Sequence, residues 1–284
     1  TGNVTSIGEA SSADDYVASL TWSSDGEHLA IGMSDGDAQI WDVSKEQKIR
    51  SMLGHSARVA ALSWRNFVLS SGCKDGNIWN HDIRIAEHRM AELSGHRDEV
   101  CGLKWRSDGL QLASGGNDNR VNIWDCRSSL PKYSKEVHVA AVKAIAWCPW
   151  QTNLLASGGG SHDRTIHFWN TSNGNRLQSI NTGSQVTSIV WSREYKELLS
   201  THGFPDNNLT IWAYPSLQKI ENIKAHDTRV LHSTLSPDGQ FVATASSDEN
   251  LKFWKIFESR GKSIRSKNGE KQNNGTLENN STIR

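Results

Sequence analysis

The stretch "LASGGNDNRVNIWD", residues 112–125, decides the fold. Leu112 to Gly115 are small or apolar, Asn117-Asp118-Asn119 is turn chemistry, and Val121 and Ile123 alternate with Asn122 and Trp124, so the phrase reads as two short strands around a tight polar turn. Variants of it occur five more times: "AIGMSDGDAQIWD" (30–42), "LSSGCKDGNIWNHD" (69–82), "LASGGGSHDRTIHFWN" (155–170), "LSTHGFPDNNLTIWA" (199–213) and "TASSDENLKFWK" (244–255). Measured from the turn Asp to the sixth residue after it, the units end at Trp41, His81, Trp124, Trp169, Trp212 and Trp254. Successive units are therefore 40, 43, 45, 43 and 42 residues apart, the period of propeller blades.

Runs such as "CGLKW" and "QLASGG", separated by Asp-Gly turns, predict four short antiparallel strands per unit. One such sheet cannot bury both its faces, so the units must stack around an axis and share a core between them, to which the twelve tryptophans contribute. The expected fold class is all-β, a β-propeller over residues 1–257 with six repeat units. "GNVTSI" (2–7) precedes the first inner strand as "QKIRSML" precedes the next, and reads as the outer strand of a further blade. A seven-bladed parent is expected. Residues 258–284 lack an aliphatic pattern, are rich in Asn, Lys, Gly and Ser, and read as a disordered tail ending in Ile-Arg.

The 284 residues carry 31 basic and 31 acidic groups, so nothing favours a polyanion, and no nucleic-acid partner is expected. With no apolar run near the roughly 18 residues of a membrane span and no signal-peptide order at the N-terminus, no membrane partner is expected either, and the chain reads as soluble and intracellular. Cys73, Cys101, Cys126 and Cys148 form no C-x-x-C pair and read as buried reduced thiols, with no metal and no cofactor implied.

Upstream of the strand-ending aromatic stands a Gly-His or its remnant: Gly54-His55, Gly95-His96, His138 and His226. Here the chain resembles the WD-repeat family. The resemblance implies a structural network of His96, Ser114, Asp118 and Trp124, and the chemistry agrees, since a buried imidazole, hydroxyl and indole each need a partner. His, Ser and Asp also compose a hydrolase triad, but their periodic recurrence favours structure. "GMSDG" (32–36) matches the hydrolase elbow by letter without the strand–turn–helix context, and "SGGG" (157–160) lacks the Gly-Lys-Ser/Thr of a phosphate loop. No catalytic residue is assigned, and the protein is not expected to be an enzyme. Two units depart from the pattern, with His81 in place of Trp and "NTGSQV" in place of Gly-His, so their blades are expected to lack the full network.

In a four-stranded meander, the second-to-third turns and the links between blades open on one end. The links end at Tyr16, Arg58, Glu99, Ala141, Gln185 and Arg229, and the turns add Asn117, Asn119, Ser161, His162 and Asp206. Functional loops on a rigid scaffold are expected there. Long matches in "DEVCGLKWRSDGLQLASGGNDN", "AAVKAIAWCPWQTNLLASGGG", "GSQVTSIVWS", "THGF" and "SSDENLKFW" make residues 16–257 and the final Ile-Arg resemble the Fizzy family, substrate-recruiting activators of the anaphase-promoting complex, and "AWCPWQ" favours Fizzy over Fizzy-related. The resemblance implies binding of Lys-Glu-Asn signals by Asn117, Asn119, Ser161, Gln185 and Arg229. It places the Arg of a destruction box at Glu249, and ligase docking at Ile283 and Arg284. It further implies partners among anaphase-promoting complex subunits, degron-bearing substrates such as cyclins and securin, and mitotic checkpoint proteins whose docking motif lies upstream, with localisation in nucleus and cytoplasm. Another WD-repeat scaffold, such as a histone-tail reader, is the alternative; it wants an aromatic cage, and the ring offers only Tyr16.

Overall fold

The computed structural model describes Ser6, Ile7, Ser12 and residues 14–258. Six sheets follow one another along the chain: blade 1 (17–51), blade 2 (59–94), blade 3 (100–135), blade 4 (142–181), blade 5 (186–224) and blade 6 (230–255). The first five have four strands paired in chain order, and the sixth has three. Over the described residues the protein is an all-β β-propeller of six blades. In blade 3 the strands are Val100–Trp105, Gln111–Gly116, Val121–Asp125 and Pro131–Lys135, antiparallel throughout, with Ala113 opposite Ile123 and Ser114 opposite Asn122.

Local chemistry makes the hairpins. In the first turns of blades 1, 3 and 6, Asp25, Asp108 and Asp238 accept the backbone N–H two residues on (3.0, 2.9 and 3.0 Å), and Gly26, Gly109 and Gly239 supply the left-handed φ that closes each turn. The second turns repeat the device, with Asp35, Asp75, Asp118 and Asp248 accepting from Asp37, Asn77, Arg120 and Asn250.

Each blade interface has its own apolar cluster. Ile40 and Met52 meet Leu62 and Leu69 between blades 1 and 2; Ile78 and Leu93 meet Leu103 and Trp124 between blades 2 and 3; Ile123 meets Leu155 and Trp169 between blades 3 and 4. Phe168 meets Trp191 and Trp212 between blades 4 and 5, and Leu209 meets Val242 and Phe257 between blades 5 and 6. The tryptophans that end inner strands add a directional tie. Trp64, Trp105, Trp147 and Trp191 each donate the indole N–H to the preceding blade, at Thr21 O, Ser70 Oγ, Lys104 O and Ala146 O (2.8 to 3.2 Å), about 1 kcal/mol apiece.

Blades 1 and 6 expose the faces that interior blades bury: Leu20 and Leu251 are 61% accessible, Trp22 50% and Phe253 69%. Residues 2–5 of the expected outer strand lie outside the described residues, and Ser6 and Ile7 have no regular structure. Residues 259–284, with Ile283 and Arg284, also lie outside them.

Candidate functional site

One hydrogen bond recurs around the propeller and builds a face. In five blades the residue ahead of the inner strand accepts, through its carbonyl, an N–H from that blade's second turn: Ser34 to Tyr16 (3.0 Å), Lys74 to Arg58 (3.0 Å), Asn117 to Glu99 (2.8 Å), Gly203 to Gln185 (2.9 Å) and Ser247 to Arg229 (3.2 Å). Links and turns therefore share one end of the molecule, and they are held there by backbone, so side-chain identity is free to vary. "GMSDG" falls in such a turn, between strands His28–Met33 and Ala38–Asp42, with no helix after it.

Half of this ring is internally paired. Arg58 forms a two-pronged ion pair with buried Glu99 (both N–O distances 2.6 Å) and donates to the Tyr16 hydroxyl (3.3 Å). The Glu99 carboxylate beside it raises the Arg58 pKa further, so the guanidinium is fixed as a cation. Asn117 Nδ2 donates to the same carboxylate (3.3 Å), which orients its amide. Asn119 occupies the left-handed position of the same turn, φ 64°. Pairing of this kind was not legible in the sequence, because Arg58 and Glu99 are 41 residues apart and meet only across a blade interface.

The other half of the ring has no ion pair among the described residues. Gln185 lies over Gly203: a β-carbon there would collide with Gln185 Oε1 and stand 3.4 Å from Arg229 Cβ, so these residues meet above one glycine. Exposed Arg229 has no ion-pair partner among the described residues. Phe204, 67% exposed, gives its carbonyl to Gln185 N (3.2 Å) and brings an aromatic to this sector, a residue the sequence reading did not single out. Ser161 is half-buried, and its carbonyl accepts Arg164 Nε (2.8 Å). Glu249 is exposed in the second turn of blade 6, in the left-handed position equivalent to Asn119 (φ 63°), beside the uncovered face of Leu251 and Phe253.

Beneath the face sits the blade network. In blade 3, Asp118 accepts from His96 Nδ1 (3.0 and 3.1 Å), while His96 Nε2 (2.7 Å) and Trp124 Nε1 (2.9 Å) meet at Ser114 Oγ. Burial works against the Asp118 charge, yet the bonds from His96 and the Arg97 N–H leave its carboxyl below the usual range. Ser114 is fully buried, so this Asp–His–Ser chain presents no hydroxyl to a substrate. Blade 4 repeats it with His138, Asp163, Ser157 and Trp169, and blade 6 with His226, Asp248, Thr244 and Trp254.

As expected, neither departing blade has the full network, though each keeps part of it. In blade 2 the Ser71 hydroxyl still joins two rings, His55 Nε2 at 2.7 Å and His81 Nε2 at 2.9 Å, so His81 takes the place of the indole. In blade 5, His202 of the second strand reaches Ser200 Oγ (2.7 Å), which also takes the Trp212 indole (2.7 Å). What both lack is the carboxylate, and His55 Nδ1 is left buried without a hydrogen-bond partner among the described residues. Blade 1 is a third departure: Ile31 stands where blade 3 has Ser114, and Trp41 donates to Gln39 instead (3.1 Å).

Comparison with known proteins agrees with this architecture. A CDC20/Fizzy WD40 domain matches residues 1–254. The WD repeat-containing protein slp1 of Schizosaccharomyces pombe is 58% identical over 259 residues, which cover 90% of this chain and 53% of that protein. The anaphase-promoting complex subunit cdc20 of Dictyostelium discoideum is 50% identical (92% and 53% covered), and protein FIZZY-RELATED 3 of Arabidopsis thaliana 48% (87% and 51%). The chain thus spans about half the length of the curated relatives it matches. A chain of a crystal structure of the mitotic checkpoint complex superposes with a TM-score of 0.89 at 58% identity, covering 91% of this chain and 82% of that one.

Proposed function

Because the chain belongs to the CDC20/Fizzy WD40 family, we propose that it is the degron-reading propeller of an activator of the anaphase-promoting complex, an adaptor that holds substrates for ubiquitination and performs no chemistry itself. The observation that carries this reading is the asymmetry of the ring. Arg58 is neutralised by Glu99, whereas exposed Arg229 stands unpaired beside Gln185 and Phe204, a sector suited to an acidic residue between polar neighbours in an extended peptide. In the proposed complex Arg229 takes the Glu of a Lys-Glu-Asn signal, while Gln185, Asn117, Asn119 and Ser161 serve its polar ends. Asn117 already spends one amide N–H on Glu99, which leaves its carbonyl oxygen to accept from the ligand.

Glu249, at the uncovered edge of blade 6, is proposed as the partner of the Arg of a destruction box, and Ile283-Arg284 as a docking end for the ligase. Each motif alone is expected to bind weakly, because a disordered peptide must be ordered on binding, and avidity from two motifs then sets selection. Fluorescence anisotropy with a labelled Lys-Glu-Asn peptide tests the first assignment. Arg229→Ala should weaken binding roughly 10- to 100-fold, the loss of one charge-assisted pair, with an unchanged melting temperature. Equal affinity of both proteins would sink it.

A further inference from the structure

The vacancy in the blade 2 network points to a metal site. Three potential ligands converge there: His55 from the link ahead of the blade, Cys73 at the end of strand Val68–Cys73, and Asp75 in the turn that follows, with one ligand atom of each within 4.8 Å of the others. His55 is 7% exposed and Cys73 fully buried. The free atom of His55 is Nδ1, which is buried and has no hydrogen-bond partner.

Cys73 explains why the pair is open. Blade 3 has Gly116 at this position, where a β-carbon would stand 2.5 Å from Asp118 Oδ1 and 2.7 Å from His96 Nδ1, between the two partners. In blade 6 the smaller Ser246 coexists with the His226–Asp248 bond. A cysteine puts a sulfur there, and the His–Asp bond of blades 3, 4 and 6 is absent, with Cys73 Sγ resting on Ala57 O (3.2 Å).

The surroundings prepare the imidazole. A single run of donors satisfies the chain of contacts: His55 Nε2–H to Ser71 Oγ, Ser71 O–H to His81 Nε2, and His81 Nδ1–H to His88 Nδ1 (2.7, 2.9 and 2.9 Å). It leaves His55 Nδ1 as a bare lone pair, and a hydrogen bond on the far nitrogen is how metal-bound histidines are oriented. Stacking on Trp79, with centroids 4.4 Å apart, fixes the ring plane. A metal takes sulfur as thiolate, so a binding cation displaces the thiol proton.

We propose that His55 Nδ1, Cys73 Sγ and the Asp75 carboxylate bind one zinc-class divalent ion, with solvent as fourth ligand on the exposed Asp75 side. One nitrogen, one sulfur and one oxygen suit borderline-soft Zn²⁺. The thiolate and carboxylate balance its charge, and binding releases one proton. The ion replaces the missing His–Asp bond and braces the link that carries Arg58 onto the face. The separation of the ligands explains why the cysteine spacing gave no such signal: 18 residues part His55 from Cys73, and only Cys73 and Asp75 are close in sequence.

Co(II) is the probe, added to the metal-free protein, with Zn(II) as competitor. One equivalent should bind with a sulfur-to-cobalt charge-transfer band that Zn(II) erases. Cys73→Ser keeps a donor for Ala57 O and should lose the band, whereas Cys101→Ser should keep it. Zn(II) at a hundredfold excess over its Kd should raise the melting temperature of the unaltered protein by roughly 5 °C and leave Cys73→Ser unmoved. Should Cys73→Ser fail to fold, Asp75→Asn, altered at an exposed residue, is expected to bind Co(II) about tenfold more weakly. Absence of the band in the unaltered protein, its survival in Cys73→Ser, or full affinity in Asp75→Asn would overturn the proposal.

Discussion

Asp118→Ala and Asp75→Ala alter the same position of two blades and should give different results. Both carboxylates accept a backbone N–H within their own turn, from Arg120 at 3.2 Å and from Asn77 at 2.8 Å, so that loss is common to both. Asp75 has otherwise only an exposed bond from Ser56 Oγ (3.2 Å), which water replaces. Asp118 also accepts from His96 Nδ1 and from Arg97 N (2.9 Å), and the His96 side chain is 0% exposed, so truncation strands a buried imidazole N–H. A stranded buried donor costs about 1–3 kcal/mol. For a domain of this size that separates the two variants by roughly 3 to 10 °C in melting temperature, Asp118→Ala being the lower. Differential scanning calorimetry in metal-free buffer measures the gap. Equal melting temperatures would show that the His–Asp contact contributes nothing beyond the turn, and the account of the blade network would fall with it.

Acid should destabilise the propeller well above the carboxylate range. Burial lowers the pKa of His55, His167 and His202 to about 4 and of His81 to about 3, against 6.5 for a free imidazole. Below pH 6.5 the unfolded chain takes up protons that the folded one refuses. Their contribution is therefore complete above that pH and falls until the folded groups titrate, on the order of 1 kcal/mol per histidine per pH unit; a melting temperature that stays flat from pH 7 to 5 would contradict this. Gly203→Ala should displace Gln185 with no backbone strain, since the φ of Gly203 is not left-handed. Peptide affinity should fall several-fold at a nearly constant melting temperature, and unchanged affinity would remove Gln185 from the proposed site. Deleting Ile283-Arg284 from the full-length protein, with its other docking motifs disabled, should weaken ligase pull-down and spare Lys-Glu-Asn peptide binding; unchanged pull-down would make the segment merely a chain end.

The sequence by itself determined the blades. Hairpins are local: Asp108 caps a turn two residues away, the repeat spacing counts the units, and alternation in "VNIWD" assigns the faces, so fold and ring positions were legible without coordinates. The network residues His96, Ser114, Asp118 and Trp124 were legible through the resemblance to WD repeats, and Ser114 is central to the buried chain while Asp118 lies at its edge. Sequence marks "NTGSQV" as lacking a histidine, and the imidazole that stands in for it, His202, is a local one, two residues from Ser200 on the same strand. The tertiary structure alone decided what crosses between blades. Sequence places Arg58, Glu99, Gln185 and Arg229 in one ring and treats them alike. Geometry pairs the first two, leaves Arg229 open beside Gln185, and opens His55 toward Cys73. The physical reason is range: a turn is satisfied by its own neighbours, whereas a charge or an imidazole is satisfied by whatever the stacking of sheets some 40 residues apart puts within about 3 Å.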